Sequence, residues 1–232
     1  MFYYDWTIII LIPAILIAGF AQGKVKSAYR TYSRVTAMNG ISGVETARKI
    51  LDANGLFDVP VEMVEGELSD HYDPINRRVS LSADVYSNRS IASVAIAAHE
   101  CGHALQHQQG YSLLMIRNVI ARPVGLVSMA SWPLLILGII LTQAGKISTG
   151  TMLMNVGIIA FGAVVLFHLV TLPVELNASK RALKELQVEG VVREEELSGS
   201  KKVLSAAALT YVAALIMALS QLIRILLLVR RD

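Results

Sequence analysis

Four long apolar runs, at residues 6–21, 124–142, 151–172 and 203–229, restrict what this chain can fold into more than any other feature. Each approaches or exceeds the roughly 20 residues a helix needs to cross the hydrocarbon core of a bilayer. Runs of that length are hidden from water either inside a large soluble core or in lipid. With 232 residues, 54% of them hydrophobic, and a mean hydropathy of +0.52, the chain is too small and too apolar for the first solution. A mainly α membrane protein with about four transmembrane helices is expected, the lipid bilayer acting as solvent for much of the chain.

The polar segments between these runs define the remaining organisation. Asp5 precedes the first run and Lys24, Lys26, Arg30 and Arg34 follow it, the reverse of a secretory signal, so residues 1–23 read as an uncleaved anchor. Residues 24–123 form a polar domain, 124–172 a transmembrane hairpin, 173–202 a polar helical segment, and 203–232 a last transmembrane helix and tail. Lysine and arginine number eleven in 24–123 and six in 173–202, against Lys146, Arg230 and Arg231 on the other side. The positive-inside rule therefore puts both polar segments in the cytoplasm. Arg230 and Arg231 disagree with that assignment. Two crossings separate the polar segments, so they share one side whichever way the chain inserts.

Within 24–123 the local signals are those of a small α+β domain. Ser42 and Glu45 have capping-box spacing and Gly55 stands where the helix would stop. Residues 59–64 and 77–81 carry β-branched side chains, and Asp70-His71-Tyr72-Asp73-Pro74 between them has turn chemistry, which predicts two strands joined by a loop. Residues 90–109 predict an alanine-rich buried helix capped by Ser90 and closed at Gly110. The stretch 111–122 is amphipathic and could lie in the membrane interface. Glu194, Glu195 and Glu196 read as a solvated loop.

The alanine-rich helix carries His99-Glu100-Cys101-Gly102-His103. Histidines four apart share a helix face, so His99 and His103 can offer two nitrogens to one zinc ion. Glu100 flanks that face and can act as general base toward an attacking water. Two histidines and a carboxylate are costly to bury on such an apolar helix, and a metal satisfies all three. Cys101 points away and is a small buried apolar residue. It is the single cysteine, which rules out an intramolecular disulfide. Gly102 would let another backbone or a substrate come close. A catalytic zinc takes a third protein ligand, and spacing leaves Glu175, His71, His168 and His107 as candidates. For Glu175 the bland alternative is a first-turn acid favoured by a helix dipole. The net charge of +3 and 6% aromatic content show no basic, aromatic-interleaved face, so nucleic acid is not an expected partner.

These residues resemble the YugP family of membrane zinc metallopeptidases, similar in layout to HtpX-type and CAAX-prenyl peptidases. The resemblance runs through Leu68-Ser69-Asp70-His71-Tyr72-Asp73-Pro74, Leu81-Ser82, Val85-Tyr86, Ala97-Ala98-His99-Glu100-Cys101-Gly102-His103-Ala104, Leu172-Pro173-Val174-Glu175, Ala178-Ser179 and Arg181-Ala182. It implies a gluzincin-like catalytic domain in a bacterial cytoplasmic membrane, with one catalytic Zn2+ held by His99, His103 and Glu175, and with Glu100 catalytic. Asn177 stands where related proteins tend to carry aspartate; an amide would support a ligand histidine more weakly. Residues 77–81 would lie beside the active helix and could pair with an extended substrate. His71 and Tyr72 could donate to a developing oxyanion, or simply build a turn, and His107 could back the site or face water.

The function expected is hydrolysis of peptide bonds in peptides or membrane proteins. A zinc-binding scaffold without activity is the alternative, against which an intact Glu100 counts. A histidine-rich membrane oxygenase would need more than the five histidines present. Oligomeric state, natural substrate and self-processing leave no signal in the sequence.

Overall fold

A computed structural model describes residues 6–229. Asp5, Arg230 and Arg231, used above to argue topology, lie outside the described residues. The molecule is a mainly α membrane protein with a small α+β part. A 3-10 turn, Trp6–Ile10, leads into α1 (Leu11–Tyr32), followed by α2 (Gly43–Ala53), β1 (Val61–Val64), β2 (His71–Asp73), β3 (Arg78–Ser82), α3 (Ala83–Ser87), α4 (Ile91–Gln108), α5 (Ser112–Gln143), α6 (Ile147–Val188) and α7 (Glu194–Val229). Four of these, the first turn with α1, α5, α6 and α7, are long and apolar enough to cross a membrane.

The chain divides into two compact units. One takes residues up to Phe20, Met115–Leu172 and from Tyr211 onward; the other takes Ala21–Leu114 and Pro173–Thr210. In the first unit the α5–α6 hairpin is packed through glycines. A methyl group on Gly150 would stand 2.6 Å from the Gly138 carbonyl oxygen, and one on Gly157 2.8 Å from Leu135. Such small residues let helix backbones meet where lipid leaves no hydrophobic drive for association. Outward-facing Leu126, Met129 and Ile159 are each more than 70% exposed, as a lipid-facing surface requires.

In the second unit, α2 packs on α4 around Ala47, Ile50, Leu51, Ala97, Ala98, Cys101 and Leu105, all buried, and β3 adds Val79 and Leu81. Alanines on α4 keep that helix close to its neighbours, while each fully buried Ile or Leu contributes about 1.5–3 kcal/mol. The capping box at the start of α2 forms as expected: Glu45 accepts from the Ser42 backbone at 2.6 Å and donates its own N–H to Ser42 Oγ. Ser90 caps α4, and Gly110 beyond its end takes a φ of +63°.

Several expectations need correction. The sheet has three strands in the order β1-β3-β2, with β1 parallel and β2 antiparallel to β3. His71–Asp73, read as part of a loop, is an outer strand. The turn chemistry is spent one step later, where Asp73 Oδ1 accepts from the N–H groups of Ile75 and Asn76. Because β3 is interior, both of its sides are already paired, and no substrate strand can add to residues 77–81. The apolar run expected from 124 begins earlier as a helix, because α5 starts at Ser112 within the amphipathic stretch and runs on through Pro123 and Pro133. The acidic run forms the first turn of α7, where Glu196 is buried and accepts from the N–H groups of Met38 and Arg193.

Candidate metal centre

His99 and His103 sit on α4 one turn apart, with ring centroids 4.8 Å apart and planes nearly perpendicular. Glu175 arrives from α6 and is 2% exposed. Its Oε2 lies 3.2 Å from His99 Nε2 and 3.6 Å from His103 Nε2. These three residues are the group of metal-ligating side chains found among the described residues, their ligand atoms all within 4.8 Å of one another. Of the four candidates for a third ligand, only Glu175 joins the histidines. It is not a first-turn acid, since α6 is continuous from Ile147 through Pro173.

What allows α6 this close is Gly102. A Cβ there would stand 2.6 Å from the carbonyl oxygen of Ala178, so any side chain would push away the helix turn that bears Glu175. The close approach foreseen for Gly102 is thus with a backbone of the same chain. Cys101 faces the other way, its Sγ 3.6 Å from the Ala47 carbonyl oxygen, and burial pushes its thiol well above the ordinary range.

The outer nitrogens of both histidines are occupied. His103 Nδ1 lies 3.0 Å from Oε1 of Gln106, a fully buried side chain. The amide nitrogen of Gln106 donates to the Val174 carbonyl at 2.8 Å and to Asn177 Oδ1 at 2.9 Å, and Arg181 Nε donates to that same Oδ1 at 2.7 Å. Two donors on Oδ1 orient Asn177, which orients Gln106, which makes His103 Nδ1 the protonated nitrogen and leaves Nε2 with its lone pair toward Glu175. His99 Nδ1 meets the Ser179 hydroxyl at 3.2 Å. A lone pair facing a buried carboxylate is repulsive unless a proton or a metal cation lies between them. Tetrahedral zinc with bonds of about 2.0–2.1 Å separates its ligand atoms by roughly 3.3 Å, close to the two distances from Glu175 to the histidines. The donor set and its spacing fit zinc.

Sequence reasoning missed Gln106 and Ser179. Both obey helix spacing, Gln106 three residues after His103 and Ser179 four after Glu175, so each lies on the same face as a ligand. Asn177, expected to back a ligand histidine directly, acts through Gln106. As an acceptor of two N–H groups, an amide oxygen serves there.

Glu100 is buried beside His99, and that burial pushes its carboxyl up to about 7, with His99 opposing and Glu175 and Asp70 adding to the rise. Glu175 is raised by burial too, but the imidazoles of His103 and His99, when they carry a proton on Nε2, outweigh this and hold it below the usual carboxylate range. His71 is exposed, with Nδ1 on the Ser69 carbonyl, yet near enough for its charge to act on Glu100. The Tyr72 hydroxyl is turned onto His107 Nδ1 at 2.8 Å. Neither Tyr72 nor His107 joins the ligand group. His168 lies in the other unit, edge-on to Phe167.

Residues 7–230 match the family described as "Putative neutral zinc metallopeptidase". The chain belongs to this family. It is also 50% identical over 217 residues to the "Putative membrane protease YugP" of Bacillus subtilis (strain 168), covering 94% of this chain and 93% of that protein. No solved structure matches it. Family membership agrees with the donor set: a metallopeptidase family and a three-residue site whose spacing suits zinc.

Proposed function

We propose that the protein is a membrane endopeptidase holding a single catalytic zinc through His99, His103 and Glu175, with Glu100 as general base. The observation that carries this reading is the convergence of Glu175 from α6 on the two histidines of α4, with both outer ring nitrogens held by other side chains. A bound zinc ion would supply Lewis acidity, polarising the scissile carbonyl and acidifying water. Glu100 takes the proton of the attacking water and returns it to the leaving amine. Gln106 and Ser179 keep the imidazoles turned so that Nε2 faces the site. The buried setting of Glu100 favours this proton traffic, because a carboxyl raised toward neutrality both accepts and releases a proton readily.

An extended substrate would pair with β2, the outer strand that packs against α4 on the far side of β3 from β1, rather than with β3. His71 at its start would then lie near the reacting carbonyl. The substrates are peptides or membrane proteins, and lysine and arginine counts favour a site on the cytoplasmic face of a bacterial membrane. Glu100→Gln in the purified full-length protein should lower peptide cleavage at least about 100-fold while zinc content stays at wild-type stoichiometry. Cleavage at the wild-type rate would overturn the assignment of Glu100. A wild-type protein that binds zinc but cleaves no peptide would favour a scaffold.

A further inference from the structure

A cavity of about 180 Å3 lies within the polar unit, lined by Leu56, Tyr72, Arg77, Ala104, His107 and Gln108. It neighbours the candidate metal centre. Ala104 follows Glu100 by four residues on α4, so it stands one helical turn, about 5.4 Å, further along the same face. His107 stands in the same relation to His103. Leu56 and Ala104 are buried, at 3% and 1% exposed, and Tyr72 and His107 are half-buried.

The polar side chains around this cavity are already committed within the fold. The Tyr72 hydroxyl is on His107 Nδ1, and its ring stands edge-on to that imidazole with centroids 5.9 Å apart. Arg77 is paired with Asp58 at 3.0 Å, and the Gln108 amide donates to the Asn54 carbonyl at 2.9 Å. What they leave for an occupant is apolar: the side chains of Leu56 and Ala104 and the surfaces of two rings. A charged group entering here would give up water without gaining an uncommitted counter-charge. At this volume the cavity is below the roughly 300 Å3 at which sites for whole small molecules begin, and it suits one amino-acid side chain.

Strand β2 links the cavity to the reaction. His71 is near enough for its charge to act on Glu100, and the next residue, Tyr72, turns to α4 and meets His107. In a substrate strand paired with β2, the residue opposite Tyr72 carries its side chain on the same face as Tyr72. That face is the one toward α4 and the cavity.

We propose that this cavity is a specificity pocket that takes an uncharged apolar side chain, of leucine to phenylalanine size, from the substrate residue beside the cleaved bond. Leu56 and Ala104 form its floor, and the Tyr72–His107 pair is the wall that holds β2 next to it. The proposal rests on the peptidase reading above and on the pairing of substrate with β2.

Purified full-length protein, loaded with zinc in detergent and given peptides that differ at a single position beside the cut, tests it, with products mapped by mass spectrometry. Leucine or phenylalanine at that position should give kcat/KM at least about 10-fold above glycine, aspartate or lysine. Ala104→Val narrows the pocket and should lower the phenylalanine-to-leucine ratio about 10-fold, whereas Leu56→Ala widens it and should raise that ratio by a similar factor. Each ratio is read within one preparation, so a smaller folded fraction cancels. Equal rates across the series, a preference for aspartate or lysine, or a ratio unmoved in both variants would each overturn the pocket while leaving the peptidase reading intact. A wild type that binds zinc and cleaves none of the peptides would overturn that reading and the pocket with it.

Discussion

Both compact units use a glycine to bring two helix backbones together, and the use differs with the solvent. In the α5–α6 hairpin, Gly138, Gly150 and Gly157 tighten a packing contact between helices that lipid would otherwise surround equally well. In the polar unit, α2, α4 and β3 already form an apolar core driven by water, and Gly102 is not needed for its cohesion. There the close approach serves geometry, setting the distance from α6 to α4 and so the position of Glu175 relative to His99 and His103. The contrast teaches that one residue type supports stability in one unit and the placing of candidate ligands in the other.

Substitutions that add a single methyl group separate these roles. The largest effect is expected for Gly102→Ala: its Cβ meets the Ala178 carbonyl, an overpacking cost of about 1–3 kcal/mol that is relieved by moving Glu175. Zinc retention after dialysis should weaken up to about 100-fold, and wild-type retention would break the comparison. Gly150→Ala should cost a similar ~1–3 kcal/mol in thermal or denaturant stability in detergent, with zinc affinity unchanged. If that variant lost zinc instead, the two glycine contacts would not be independent.

Smaller changes sharpen the picture within the polar unit. Gln106→Leu removes the acceptor for His103 Nδ1 and should weaken zinc binding about 10- to 100-fold, measured by competition with a chelator. Asn177→Asp keeps an oxygen that accepts from Gln106 and Arg181, so kcat/KM and zinc affinity should stay within about threefold of wild type. A gain well above that would mean that an acid at position 177 supports His103 more directly than through Gln106.

Much of this was legible along the chain because it rests on local spacing. Four apolar runs became four long helices, Ser42 and Glu45 closed a capping box, and His99 and His103 shared a face. Legibility failed where partners are distant in sequence. His71–Asp73 has the composition of a turn and becomes a strand only because β3 offers hydrogen bonds alongside it. The interior place of β3 follows from the parallel pairing with β1, which no dipeptide signal encodes. The helix start at 194–196 was misjudged because polar composition marks where a chain is wetted, not where its backbone stops being helical.

The candidate metal centre divides along the same line. Residue order alone determined that two imidazoles and a neighbouring carboxylate would stand on one helix, because the helical repeat is a property of the backbone, and that the chain would enter a membrane, because apolar length is additive along the sequence. Tertiary structure decided that Glu175, and not His71, His107 or His168, meets those imidazoles, and that Gln106, Asn177, Arg181 and Ser179 orient them. Those choices depend on the distance between α4 and α6, a packing quantity set by the bare backbone of Gly102 against Ala178.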